Sequence, residues 1–406
     1  MPEQSRLLRQ YKLITANYWA FTLTDGALRM LVVLYFHQLG YAPLQIALLF
    51  LFYEAFGVVT NLVGGWLGAR LGLNKIMNIG LLLQIVALSL LLVPASYLSI
   101  AWVMAAQALS GIAKDLNKMS AKSAIKLLVP EHDDGRLFKW VALLTGSKNT
   151  LKGVGFFVGG LLLSALQFRG AILTMAIALS LVWILSLVNL QQDLGRSKNK
   201  PKFRSIFSTS KSINYLSAAR MFLFAARDVW FVIALPVFLA NQLQWSHSYI
   251  GGFLASWVIL YGLVQSSTPK LIGINRKTPL DGSTAFIWAL LLAITPILIL
   301  LGIQLDWPTS ITVIGGLLLF GAVFAVNSAL HSYLIIQRAS ADKVSLDVGF
   351  YYMANAMGRL IGTILSGLLF QLYSLQVCLA VSAIFIVIAA LLSLGIDQDE
   401  PLGYSS

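Results

Sequence analysis

The sequence predicts an all-α polytopic membrane protein with twelve transmembrane helices in two six-helix halves. Three observations carry this. Of 406 residues, 58% are hydrophobic and 11% charged, whereas soluble domains average about 25% charged and roughly 45–50% apolar. The apolar residues, which set the mean hydropathy at +0.79, fall in long runs, and a bilayer-spanning helix needs about 20 of them. One polar, basic stretch at mid-chain, residues 191–212, divides those runs evenly. The composition excludes a cytosolic enzyme, a nucleic-acid binder and a disordered protein, because none of these can hide so much apolar surface.

The runs occupy residues 14–38, 43–69, 76–95, 98–121, 138–165, 170–190, 213–240, 247–269, 283–304, 309–336, 347–372 and 374–396. Each is expected to be a helix, since an open strand leaves its backbone unsatisfied in lipid. The first follows Arg6, Arg9 and Lys12, as in a signal peptide, but Asp25 and Arg29 interrupt it and no small-residue cleavage site follows. It is therefore expected to be an uncleaved first span. Pro236 and Pro296 are expected to kink the seventh and ninth spans. Gly153, Gly155, Gly159 and Gly160 imitate a dinucleotide-binding pattern, but no strand precedes them. Close helix packing is the expected reason for them. The single Cys378 excludes a disulfide framework. His37, His132, His247 and His331 are scattered, without metal-site spacing, and no Walker sequence occurs. No metal, cofactor or catalytic residue is expected.

Lys and Arg placement gives the orientation. With an even number of spans both termini share one side, and that side carries twenty of the 29 Lys and Arg residues. They include Arg70 and Lys75, Lys122 through Lys139, Arg196 through Lys211, and Lys270, Arg276 and Lys277. The opposite side carries only Arg169, and eight lie within spans. Both termini are expected to be cytoplasmic.

The halves echo each other. Asp25 in span 1 maps onto Asp228 in span 7 at an offset of 203, and Lys152 in span 5 onto Arg359 in span 11 at an offset of 207. Two parallel six-helix repeats joined by a cytoplasmic linker resemble the layout of the major facilitator transporters. A local motif agrees. Gly65-Trp-Leu67-Gly-Ala-Arg70-Leu-Gly72-Leu-Asn-Lys75 resembles that superfamily's loop between spans 2 and 3, marking Gly65, Arg70 and Gly72 as gating-loop candidates. The loop's usual acidic residue is replaced by Ala69. The resemblance implies an N-terminal bundle at 1–190, a linker at 191–212 and a C-terminal bundle at 213–406.

Charges inside the spans are the functional signal, because each costs about 2.5–3.5 kcal/mol near the bilayer centre. The basic ones are Arg29, Lys114, Lys118, Lys148, Lys152, Arg220, Arg227 and Arg359; the acidic ones are Asp25, Glu54, Asp115 and Asp228. If every acid pairs, four positive charges remain, and a bound anion would relieve them. Lys114 with Lys118, and Lys148 with Lys152, are one helical turn apart and share a face. Asn149, Asn327, Asn355, Tyr351 and Tyr352 are neutral hydrogen-bonding candidates at similar depth. Two structural alternatives stay open: Asp25–Arg29 and Asp115–Lys118 as ion pairs, and Arg220 and Lys118 snorkelling to headgroups. Asp25, Glu54, Asp115 and Asp228 are candidates for either proton coupling or ion pairing.

Several segments carry a closer resemblance. NYWAFTLTDGALRM (17–30), GIAKDLNKMSAKSAIKLLVP (111–130) and LLTGSKNTLKGVGFF (143–157) are similar to the ArsJ-type organoarsenical efflux permeases, as are residues 214–239, 324–335 and 345–360. The resemblance implies export of 1-arseno-3-phosphoglycerate across a bacterial inner membrane, giving arsenate resistance. It also implies a functional link to glyceraldehyde-3-phosphate dehydrogenase, whose use of arsenate makes that substrate. The expected partners are the small anion and the lipid bilayer, with no nucleic acid, and the chain is expected to act as a monomer. The alternatives are an exporter of another phosphorylated or carboxylated anion, or a non-transporting sensor on the same scaffold.

Overall fold

In the computed structural model the described residues are 2–41, 46, 49–130, 133–190, 194–197, 201–208, 210–272 and 280–397. Arg276, Lys277, His132 and linker residues 191–193, 198–200 and 209 lie outside them. The helices are α1 (Pro2–Gln38), α2 (Leu51–Leu71), α3 (Leu73–Leu90), α4 (Ile100–Leu128), α5 (Asp134–Asn189) and α6 (Lys211–Phe231). After them come α7 (Ala234–Gln242), α8 (His247–Ile272), α9 (Gly282–Gln304), α10 (Thr309–Arg338), α11 (Val344–Leu372) and α12 (Leu375–Ser393). Among the described residues nine helical stretches are long and apolar enough to cross a membrane. The polar residues of α2 and α4 keep those two outside that set, and α5 makes two passages. The total is twelve passages, the number the apolar runs predict.

Local chemistry sets the boundaries. Ser99 accepts from the Trp102 N–H, Asp133 from Arg136, Ser210 from Ile213 and Asp281 from Thr284, capping the starts of α4, α5, α6 and α9. Between the fifth and sixth apolar runs the chain breaks at Gln167, whose φ of 59° is not helical, so α5 is two helices joined at a kink. Pro236 acts as expected. Its ring cannot accommodate the carbonyl four residues back, and the chain leaves the helix between α6 and α7 at Val232–Ile233. The freed N–H groups of Ile233 and Ala234 donate to the Ser366 hydroxyl. Pro296, by contrast, lies inside an α9 that runs unbroken.

The chain forms two compact units: residues 1–140, 147–207 and 339–353 in one, and 141–146, 208–338 and 354–406 in the other. The first has a core built on Phe21, Leu31, Phe36, Leu81 and Phe168. The core of the second includes Trp230, Trp257, Phe320 and Phe324. Outward faces are also apolar: Ile177, Leu181, Ile184 and Val188 line one exposed stripe of α5, as a lipid-facing helix requires.

Candidate functional site

Within the first unit, α1 and α5 cross closely. A Cβ on Gly155 would stand 2.7 Å from the Leu23 carbonyl oxygen, and one on Gly26 would stand 2.6 Å from that of Lys152. This small-residue crossing brings Lys152 within electrostatic reach of Asp25, Arg29, Lys148 and Glu54. The buried Asp25 accepts from the Tyr53 hydroxyl at 2.6 Å. Arg29 turns to α2 instead and pairs with Glu54 at 3.0 Å. That partner lies on the neighbouring helix, where spacing along α1 gives no sign of it. Lys114 lies 3.8 Å from Glu54 and 4.0 Å from Asp115, and its ammonium sits 3.8 Å from the Tyr53 ring centre. Asp115 also holds Lys118 at 2.5 Å, the i,i+3 pair the spacing suggested.

The loop assignment of Lys122 is corrected. α4 continues to Leu128, and Lys122 is 4% exposed within it, donating to the Tyr352 hydroxyl at 2.6 Å. Lys118 and Lys122 both stand over the Tyr352 ring, which meets Tyr351 edge to face. Arg29, Lys114 and Lys118 thus gather on Glu54 and Asp115, with Lys152 in electrostatic reach of Asp25, Glu54 and Lys148, and Lys122 on the Tyr352 hydroxyl. Asn149 is half-buried on α5 beside Lys148. Arg29 and Glu54 keep 27% and 34% of their side-chain surfaces accessible. Because Tyr53 supplies Asp25 with its only side-chain hydrogen bond among the described residues, Tyr53→Phe is expected to destabilise the protein by about 1–3 kcal/mol. A fall in melting temperature of the purified protein checks this.

The second unit repeats the device. α6 and α11 cross at Gly358 and Gly362, where a Cβ on Gly362 would lie 2.7 Å from the Ala225 carbonyl oxygen. Asp228, fully buried, accepts from Arg227 Nε at 2.6 Å and from Arg359 Nε at 3.4 Å. Arg227 stacks over Phe224 and Phe324, 4.7 and 5.5 Å from their centres. Arg220 does not snorkel. It is 3% exposed, donating to Asn355 at 2.9 Å and to the Ser328 carbonyl at 3.1 Å. Asn327 serves structure, bonding the Trp288 and Val323 carbonyls, and His331 is fully buried. Arg227 and Arg359 thus share one carboxylate, and Arg359 remains 34% accessible.

Sequence reasoning missed Tyr53, Phe224 and Phe324. Aromatic side chains in an apolar helix are too common to stand out before a cation is seen over them.

Of the gating-loop candidates, Gly65 meets the start of α11: its Cβ would be 2.6 Å from the Ser345 carbonyl oxygen and 3.0 Å from Gly349 Cα. Gly72 has φ 99°, a left-handed conformation that favours glycine. Arg70 stacks on Trp66 with its guanidinium 4.9 Å from the ring centre. Gly65→Val is expected to cost about 1–3 kcal/mol by overpacking α2 against α11, measurable as a lower melting temperature.

Twelve passages carrying inward-held, partly accessible charges define a multi-pass membrane transporter. Residues 14–305 match the Major Facilitator Superfamily, and the chain belongs to that family, whose members are transporters rather than enzymes. Among curated proteins none matches the sequence. Solved structures match over nearly the whole chain. The human organic anion transporter MFSD10 (TETRAN) is 19% identical with TM-score 0.71, covering 97% of this chain and 100% of its own. A bacterial homologue of the iron transporter ferroportin, in an outward-facing state, is 15% identical with TM-score 0.72, covering 96% and 99%. The E. coli fucose:proton symporter FucP is 12% identical with TM-score 0.74, covering 96% and 98%. At these identities the likeness is one of fold.

Proposed function

We propose that this transporter exports a small multivalent organic anion, 1-arseno-3-phosphoglycerate, by alternating access and so confers arsenate resistance. The observation that carries the anion class is the set of basic groups held inside the spans: Arg29, Lys114, Lys118 and Lys152 beside Asp25, Glu54 and Asp115 in one unit, and Arg227 and Arg359 on the single Asp228 in the other. An excess of fixed positive charge inside a low-dielectric protein is costly unless an anion joins it. Arginine's planar fork suits phosphate and arsenate oxygens, and lysine adds point charge. The substrate carries a phosphate and an arsenate group, both of which such cations suit. That a structural relative is an organic anion transporter agrees with the class. The identity of the anion rests on the resemblance of segments such as residues 17–30 and 111–130 to the organoarsenical permeases.

In this reading the protein lies in a bacterial inner membrane with both termini cytoplasmic, acts as a monomer and depends on glyceraldehyde-3-phosphate dehydrogenase for its substrate. Coupling to protons is not required. One charge moving across 100 mV is worth about 2.3 kcal/mol, so a trianion leaving a negative interior gains roughly 7 kcal/mol.

The test is arsenic retention in arsenate-loaded cells lacking other arsenic exporters. Retention is expected to fall only when the transporter and an arsenate-using glyceraldehyde-3-phosphate dehydrogenase are expressed together. Unchanged retention removes the arsenical and directs the search to phosphorylated carboxylates.

A further inference from the structure

Two polar atoms buried in the first unit have unmet hydrogen-bonding capacity, one a donor and one an acceptor. The donor is the Tyr18 hydroxyl. Tyr18 lies on α1 two turns before Asp25, so the two share a face of that helix. Its side chain is buried, and its hydroxyl has no hydrogen-bond partner among the described residues. The groups within its electrostatic reach are Tyr352, Asp115 and Asp25. Two of these are already served: the Tyr352 hydroxyl accepts from Lys122, and Asp25 accepts from Tyr53.

The acceptor is on the third, Asp115, which is 2% exposed. Its Oδ1 holds Lys118 at 2.5 Å. Its Oδ2 accepts no hydrogen bond among the described residues, and the Lys114 ammonium stands 4.0 Å away. Both idle atoms cost free energy where they are, and a state in which they meet would recover it.

Binding of an anion creates that need. Lysine is a point charge on a flexible stem, and Lys118 keeps 13% of its side chain accessible. Drawn to an anion, it leaves Asp115 buried with only the more distant Lys114, and a buried carboxylate stripped of its partner is strongly unfavourable. A phenol hydroxyl can serve that carboxylate without adding a charge that competes for the anion. The neighbouring acid already uses this chemistry, since Tyr53 donates to Asp25 at 2.6 Å.

We propose that Tyr18 is a positioning residue: when an anion draws Lys118 from Asp115, the Tyr18 hydroxyl donates to Asp115 and so releases Lys118 to the anion. This rests on the reading of these cations as the anion's site.

The test compares wild type with Tyr18→Phe, which removes only the hydroxyl, in everted vesicles supplied with the dehydrogenase and its arsenate mixture. KM is expected to rise about tenfold, with the maximal rate per transporter kept, as when a bound state loses one interaction. Purified Tyr18→Phe without substrate is expected to melt no lower than wild type, because no bond is lost at rest. In Asp115→Asn, which has no charge to strand, adding Tyr18→Phe is expected to change KM by less than about twofold. An unchanged KM in Tyr18→Phe while the wild type transports overturns the proposal. A melting temperature lower by about 2–4 °C also overturns it, since the hydroxyl would then be bonded at rest, for instance through a water. A wild type that takes up no arsenical fails the export reading itself, and this proposal with it. If Asp115→Asn does not reach the membrane, the KM and melting temperature of Tyr18→Phe decide.

Discussion

Arg359→Met and Lys152→Met are each expected to lower arsenic export by about 10–100-fold while the protein stays in the membrane at its normal level. The magnitude is that of a lost hydrogen bond to a charged group, about 1.5–3 kcal/mol. The effect falls on transport rather than on folding because each substitution leaves its local carboxylate a partner. Without Arg359, Asp228 keeps Arg227 at 2.6 Å. Without Lys152, Asp25 keeps the Tyr53 hydroxyl at 2.6 Å. What is removed is positive charge in excess of the local acids. The check is export per immunoblotted transporter, and full export by both variants would remove these clusters from the substrate path.

Asp228→Ala is expected to do the opposite: to destabilise the fold by about 3–5 kcal/mol, the cost of breaking a buried pair from one side. Asp228 is completely buried between two arginines, and its loss leaves both guanidinium groups without their carboxylate. Membrane levels and melting temperature should both fall. The double variant Asp228→Ala with Arg359→Met should recover part of that loss, since one stranded charge is removed, yet remain without transport. A destabilisation no smaller in the double variant would mean that Asp228 stabilises through something other than these two charges.

Much of this was legible in the sequence because membrane proteins announce their helices by composition. The mid-chain basic stretch and Pro236 mark boundaries where the structure has them. Others stayed hidden where a helix carries polar residues. Lys122 follows Ser120 and reads as a loop cation, yet α4 runs on to Leu128 and buries it. Charged positions stood out against apolar runs, so the ingredients of both clusters were legible. Their partners were not. Local spacing offered Asp25 to Arg29, whereas the close α1–α5 crossing and the approach of α2 give Arg29 to Glu54, 25 positions away. Pairing within one helix follows from period; pairing across helices depends on which backbones small residues allow to approach.

The basic groups inside the spans underlie the proposed export of an arsenylated organic anion. Everted membrane vesicles test it directly, with arsenate, glyceraldehyde 3-phosphate, nicotinamide cofactor and the dehydrogenase supplied outside. Arsenic is expected to accumulate in vesicles carrying the transporter only when every component is present, and not in vesicles carrying Lys152→Met. Equal accumulation in vesicles lacking the transporter, or accumulation from arsenate alone, would contradict the account.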